Sequence, residues 1–423
     1  MSQHHRSRVV RTGLVAAVAG GALILAGCSG ANSDDKGGST GFTLSYAVTN
    51  SAIETPYKAL AEAYMKANPD VKITLNEVPN DSYGQTLTTQ LNAGNASDVF
   101  QTAPGVGQNY STVTLAKAGL LAPLNDSATK TIPNGSESQF QNDGSTFGVA
   151  LGLTFVGSVL NDTSAKAAGV TYPTDWSGLL GTCQDLAKSG KSLFVLAGSM
   201  PPNTGLMAMS IAATRVYAEN PTWNDDRTAG RTTFAATQGW KDTLNDIVEM
   251  SKAGCFQKGA EGAGFDAITS GMLQGSSVAG FLPSGSAADL KQNAADQDFL
   301  IEPVPPAAGG KAFGIAGADY ALSLSKKAAD SAAAKKFIEW ATTDDAQKVF
   351  SDTAGALPLG QDLSGTVFAP VADIVNNGDF IPLPNSSWAN AAVYDALGAG
   401  VQGLLTGQKT VDQVLADMDK AWG

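Results

Sequence analysis

Histidine is almost missing from this chain. His4 and His5 lie within the first few residues, and no other histidine follows. The body of the protein therefore lacks the side chain that most often moves protons near neutral pH. Ser-His-Asp triads and His-based zinc sites are excluded from it. A Gly-x-Ser-x-Gly match at 37–41 has no histidine to activate Ser39 and no strand-to-helix turn around it. No Walker-type loop appears, and no Rossmann fingerprint in a strand–turn–helix setting. Positive charge is also scarce, at 27 basic against 39 acidic residues, a net of −12. Without the first 27 residues, which hold Arg6, Arg8, Arg11 and no acid, the balance is 24 against 39, or −15. Such a surface repels nucleic acid and anionic headgroups. Only Arg215, Arg227 and Arg231 then remain, which disfavours a guanidinium clamp for an anion. Long apolar runs are absent beyond residues 13–26, a stretch too short to span a bilayer comfortably.

That stretch has the shape of a processing signal. Arginines precede it, and it ends in Leu25-Ala26-Gly27-Cys28. The ending is similar to a bacterial lipobox, in which the cysteine is lipidated and becomes the first mature residue. We expect residues 1–27 to be a lipoprotein signal peptide. Residues 28–41, rich in Ser, Gly, Asp and Asn, are expected to be lipidated Cys28 and a flexible tether. The expected location is the extracellular face of the bacterial cytoplasmic membrane, with contact to the membrane through lipid only. Cys183 and Cys255 remain, and outside the cell an even pair points to a disulfide. The bridge closes a loop of about 70 residues, worth roughly 4 kcal/mol in the chain-entropy model. Two buried free thiols are the alternative.

Hydrophobic periodicity gives the organisation. Residues 42–48 read as a strand, and Tyr57, Leu60, Ala61 and Tyr64 recur at helical spacing until Asn68-Pro69-Asp70 stops the helix. A strand at 71–78, a helix at 85–91 and a strand at 97–100 continue the alternation. This order predicts a parallel α/β sheet, with ligands beyond the carboxyl ends of its strands. Asn50, Gln101 and Thr102 stand at those ends. Residues 148–160 read as buried strand. Helices follow at 176–188, 204–219, 237–252 and 265–273, with strands at 277–282, 300–303 and 318–325. One or two helices fill 328–351, and further helices lie near 366–376, 388–406 and 410–421.

The order of these segments resembles the family of extracellular solute-binding proteins that includes maltose-binding protein. Ala96-Ser97-Asp98-Val99 is similar to an Ala-Pro-Asp-Val stretch of that family, and Gly148-Val149-Ala150-Leu151 to its crossing into a second lobe. Phe337-Ile338-Glu339-Trp340 resembles a late helix, and Gly407-Gln408-Lys409-Thr410-Val411-Asp412 the family's C-terminal end. The resemblance implies an α/β, two-lobed, periplasmic-binding-protein-like (type II) fold. Its N-terminal lobe would be 42–153 with 315–357, its C-terminal lobe 154–314 with 358–423, and the ligand would sit in the cleft between them. It also implies a monomer that captures a mono- or oligosaccharide by hinge closure and delivers it to the permease subunits of an ABC importer. No catalysis, cofactor, metal or nucleic acid enters that reading.

A sugar packs its C–H faces on aromatic rings and turns its hydroxyls to directed polar groups. Trp388 follows a Pro and Asn-Ser-Ser loop, where the family carries a stacking tryptophan. Trp223 stands near a loop, whereas Trp240, Trp340 and Trp422 lie in amphipathic helices and read as core. Asp319 and Tyr320 follow a glycine-rich crossing, and Ser284 stands where many relatives carry a tryptophan. A different neutral or cationic solute is the second reading. A third is an extracellular carboxylate-pair glycosidase, which needs no histidine. A structural surface protein would show repeats or exposed apolar edges, and neither is visible.

Overall fold

The computed structural model describes residues 41–48, 55–106, 108–133, 135–358 and 362–423. Cys28, the signal and tether segments, and Asn50 lie outside these residues. Among the described residues no helix is long and apolar enough to cross a membrane.

The first sheet is built from β1 (Gly41–Val48), β2 (Lys72–Pro79) and β3 (Val99–Thr102), all parallel. Helix Pro56–Ala67 joins the first two. Proline at its first turn and the Thr55 side chain, which accepts from the Lys58 amide, start this helix. Tyr57, Leu60, Ala61 and Tyr64 form its buried stripe, as their spacing predicts. They meet Phe42, Leu44, Tyr46 and Val48 from β1. A short hairpin of β4 (Gln141–Asn142) and β5 (Ser145–Thr146) turns on Asp143 and Gly144, both at positive φ. β6 (Val149–Ala150) then lies at the edge of the first sheet.

The chain crosses into a second sheet with β7 (Thr154–Asn161), every residue of which is buried. β8 (Ser192–Val195), β9 (Ser277–Pro283), β10 (Phe299–Glu302) and β11 (Gly314–Gly317) join it. β12 (Ala321–Leu324) returns to the first sheet, and β13 (Phe380–Ile381) closes the second. The orders are β2-β1-β3-β12-β6 and β13-β11-β7-β9-β8, with β10 also pairing β7. The strand expected at 318–325 is shorter, β12 at Ala321–Leu324, and β11, which ends just before that range, belongs to the other sheet. Residues 318–320 span the gap and pair in neither ladder, so the chain changes sheets there and not at 315.

The second sheet carries the larger core. Helix Pro201–Ala212, which runs into a π-turn at Ala213–Tyr217, packs on helix Ala391–Leu405. The contact is close enough that a Cβ at Gly398 would come within 2.3 Å of the Pro201 carbonyl oxygen. Cys183, in helix Trp176–Lys188, is bonded to Cys255, just beyond helix Gln238–Lys252.

Candidate functional site

Three segments connect the two sheets, at 151–153, 318–320 and 355–357, and the first is bonded to each of the other two. The Leu153 and Leu357 backbones exchange hydrogen bonds of 2.9 and 2.7 Å, and the Leu151 amide donates to the Tyr320 carbonyl at 3.1 Å. Gly152 adopts φ 73°, and a Cβ there would meet Ala356, Leu357 and Ser351 at 3.1–3.2 Å. Gln347, nearly fully buried, accepts from the Gly152 amide and donates to the carbonyls of Ala150 and Ala341. Its two-faced amide ties the first crossing to helix Asp344–Ala354.

Asp319 occupies the middle crossing. Its Oδ2 accepts from the Thr154 hydroxyl at 3.3 Å, so the first residue of β7 anchors it. Its surface is open to water. Even so, loss of hydration by surrounding protein raises its carboxyl above the ordinary range, against a smaller lowering by Thr154. Asp319 thus stands where water reaches it and protein crowds it, on the segment between the two sheets, the candidate floor of a cleft. No lysine or arginine pairs with it among the described residues.

Three tyrosines lie near enough to feel the charge of this carboxylate. Burial first, then the negative charge of Asp319, pushes Tyr320 up to about 12. The same two causes raise Tyr110. Burial raises Tyr57, with neighbouring tyrosines and Asp319 adding to it. Tyr320 packs edge-on against Phe350, and Tyr110 edge-on against Tyr83, each at 5.3 Å between centroids. Tyr57 is buried and donates to the Ala321 carbonyl, whereas Tyr110 and Tyr320 keep part of their surface in water. All three phenols stay protonated at neutral pH and can donate hydrogen bonds.

Beside this floor lies a pocket of about 300 Å³ between helices Asp266–Leu273 and Gly285–Asn293. Helix Gly285–Asn293 starts next to the crossings. A Cβ at Gly285 would lie 3.1 Å from the Ala354 carbonyl and 4.0 Å from the Tyr320 hydroxyl. Pro283, Leu282 and Ile268 give the pocket an apolar base, while Thr269, Ser286 and Asp289 give it polar walls. Phe265 stands at its rim, 48% exposed.

Of the residues singled out in the sequence, Asp319 and Tyr320 stand on this floor. Ser284 is beside it but 1% exposed, and both its hydroxyl and its amide are engaged by the Phe155 backbone. Thr102 is fully buried, its hydroxyl shared between Thr112 and Ser323. Gln101 spends its amide oxygen on the Ala47 amide, bracing β3 against β1. Trp388 does not stand open. It is 7% exposed, packs edge-on against Phe234 and Trp240, and donates to Asn224. Trp223 joins the same aromatic cluster and donates to Thr237. These two tryptophans build the core under the second sheet, because a ring next to a loop gains more by burial than by exposure. Phe265, Tyr110 and Asp289 were not legible as site residues. Each belongs to a loop or short helix whose outward face carries no period.

The model of the bacterial extracellular solute-binding protein family matches residues 49–348, so the chain belongs to that family. It is similar to a multiple sugar-binding protein of Streptococcus mutans, 22% identical over 362 residues, covering 82% of this chain and 81% of that protein. Its fold is similar to that of RafE from Streptococcus pneumoniae, with a TM-score of 0.71 at 19% identity, over 91% of this chain and 97% of that one. A sugar transporter of Bacillus licheniformis in complex with stachyose matches with a TM-score of 0.63 at 18% identity, over 90% and 99% of the two chains.

Proposed function

We propose that this member of the bacterial extracellular solute-binding protein family captures a carbohydrate between its two lobes and hands it to an ABC-type importer. Lipid at Cys28 holds it outside the membrane. The observation that carries the reading is Asp319, a water-reached but desolvated carboxylate at the crossing of the two sheets, without a cationic partner among the described residues and close enough to Tyr110 and Tyr320 for its charge to act on both. A carboxylate oxygen accepts two or more hydroxyl protons in directed bonds, and such charge-assisted bonds are roughly twice as strong as neutral ones. Tyr110 and Tyr320 supply ring surface for C–H faces and phenol donors for ring oxygens. Three crossings, the first bonded to each of the other two, form the axis about which two lobes can close, so that both sides contribute to one ligand. The RafE and stachyose-bound relatives share this fold, and the sugar-binding relative from Streptococcus mutans points to the same ligand class.

Thermal denaturation in the presence of mono- and oligosaccharides, with amino acids and polyols as controls, tests the proposal. A cognate sugar at a hundred times its dissociation constant adds about 2.7 kcal/mol of stability. In Asp319→Asn the expected affinity falls about tenfold while the unliganded midpoint stays level, because the amide keeps the Thr154 bond and removes a desolvated charge. A set of controls that stabilises the protein where no sugar does would assign the cleft to another solute.

A further inference from the structure

The pocket between helices Asp266–Leu273 and Gly285–Asn293 contains side chains that the protein itself leaves unused. The hydroxyls of Thr269 and Ser286 and the carboxylate of Asp289 line it without a hydrogen bond or ion pair to any described side chain or backbone group. The one bond nearby is between Asn293 and the Asp289 backbone carbonyl, at 2.8 Å. Phe265, on the same pocket, is one of three large apolar side chains that stand exposed among the described residues, with Val106 and Val367. Asp289 is exposed at the mouth of the pocket, yet neighbouring protein strips part of its hydration, which raises its carboxyl, and no lysine or arginine pairs with it among the described residues. Tyr320 feels the charges of both Asp319 and Asp289, so the pocket opens beside the cleft floor and not on a remote face.

We infer that this pocket is a subsite for a positively charged amino group on the ligand, with Asp289 as its counter-ion and the Phe265 ring as one wall. The inference rests on the carbohydrate reading of the cleft, and the ligand class it names is an amino sugar. An ammonium group carries three donors and no acceptor, and the pocket offers acceptors on Asp289, Thr269 and Ser286. A cation beside an aromatic face gains from the ring quadrupole, more so where water is partly excluded. A neutral sugar fits the same walls but leaves the Asp289 charge uncompensated, and a uronic acid meets two carboxylates of like sign.

Isothermal titration of the full chain tests this with glucosamine and its dimer and trimer, the matching glucose compounds, the matching glucuronic acids, and ethanolamine as a sugar-free amine. The expected result is that amino sugars bind about tenfold more tightly than their glucose counterparts, with the glucuronic acids weakest. Asp289→Asn should erase the preference for the amine, bringing the ratio of amino-sugar to glucose affinity down to about one. Equal affinity for amino and neutral sugars, or a preference that survives Asp289→Asn, overturns the subsite and leaves the carbohydrate reading intact. Binding of ethanolamine alone, lost in Asp289→Asn, with no sugar of any kind bound, supports the subsite and removes the carbohydrate reading. No binding by any amine overturns the subsite outright.

Discussion

Asp319 and Glu302 show how one physical cause serves two ends. Both carboxyls are raised by loss of hydration, but Asp319 faces the cleft and Glu302 lies half-buried on β10. Burial and then the charge of Asp162 push Glu302 up to about 7. The unfolded chain releases that proton near pH 4.5, whereas the folded chain holds it until about pH 7. The folded state therefore binds more protons across that window, and stability falls as pH rises through it. Glu302→Gln removes the titration. We expect the variant to be more stable than the parent at pH 8 by about 2 kcal/mol and equal to it at pH 4, read from chemical denaturation at both pH values. Equal stability of the two proteins at pH 8 would show that Glu302 is better hydrated in solution than its surroundings indicate.

Among the elements, helix Trp176–Lys188 and strand β9 were readable from periodicity within a residue or so, because tertiary packing and local pattern agree there. The segment 318–320 was misread as strand. Only Tyr320 favours a strand; the reading ran back from the apolar residues of β12, and the gap between two sheets takes 318–320 out of both ladders. Trp388 was misread for a different reason. A tryptophan after a loop looks the same in sequence whether its ring turns to a ligand or into the core, and Phe234 and Trp240 decide the matter from 154 and 148 positions upstream. Asp319 was singled out because it follows a glycine-rich crossing, and the structure places it on the segment between the two sheets. Two element-scale outcomes follow. Gly152→Ala forces a Cβ into a positive-φ position at the crossing and should cost about 1–3 kcal/mol in denaturant unfolding, with sugar affinity reduced as well. Replacing Cys183 and Cys255 together by serine should lower stability by about 2–4 kcal/mol and leave sugar affinity unchanged, since the bridge ties helix Trp176–Lys188 to the chain beyond helix Gln238–Lys252 without touching the floor of the cleft.

At the scale of the whole molecule, the fold separates stability from recognition. The largest aromatic cluster, with Trp223, Phe234, Trp240 and Trp388, lies within the second sheet's core, while the polar and tyrosine groups gather where the chain passes between sheets. Periodicity marks Trp240 as core but not Trp223 or Trp388, which stand beside loops, and it is silent on segments between sheets, which repeat at no fixed spacing. The central claim is that a carbohydrate binds at the crossings of the two sheets. Amide hydrogen exchange of the full chain, with and without a saturating sugar that stabilises it, tests that claim most directly. The account predicts new protection at 151–155, 263–269, 284–289 and 318–321, with no change around Asn224 and Trp388. Protection confined to the segments around Asn224 and Trp388, with the crossings unaffected, would contradict it.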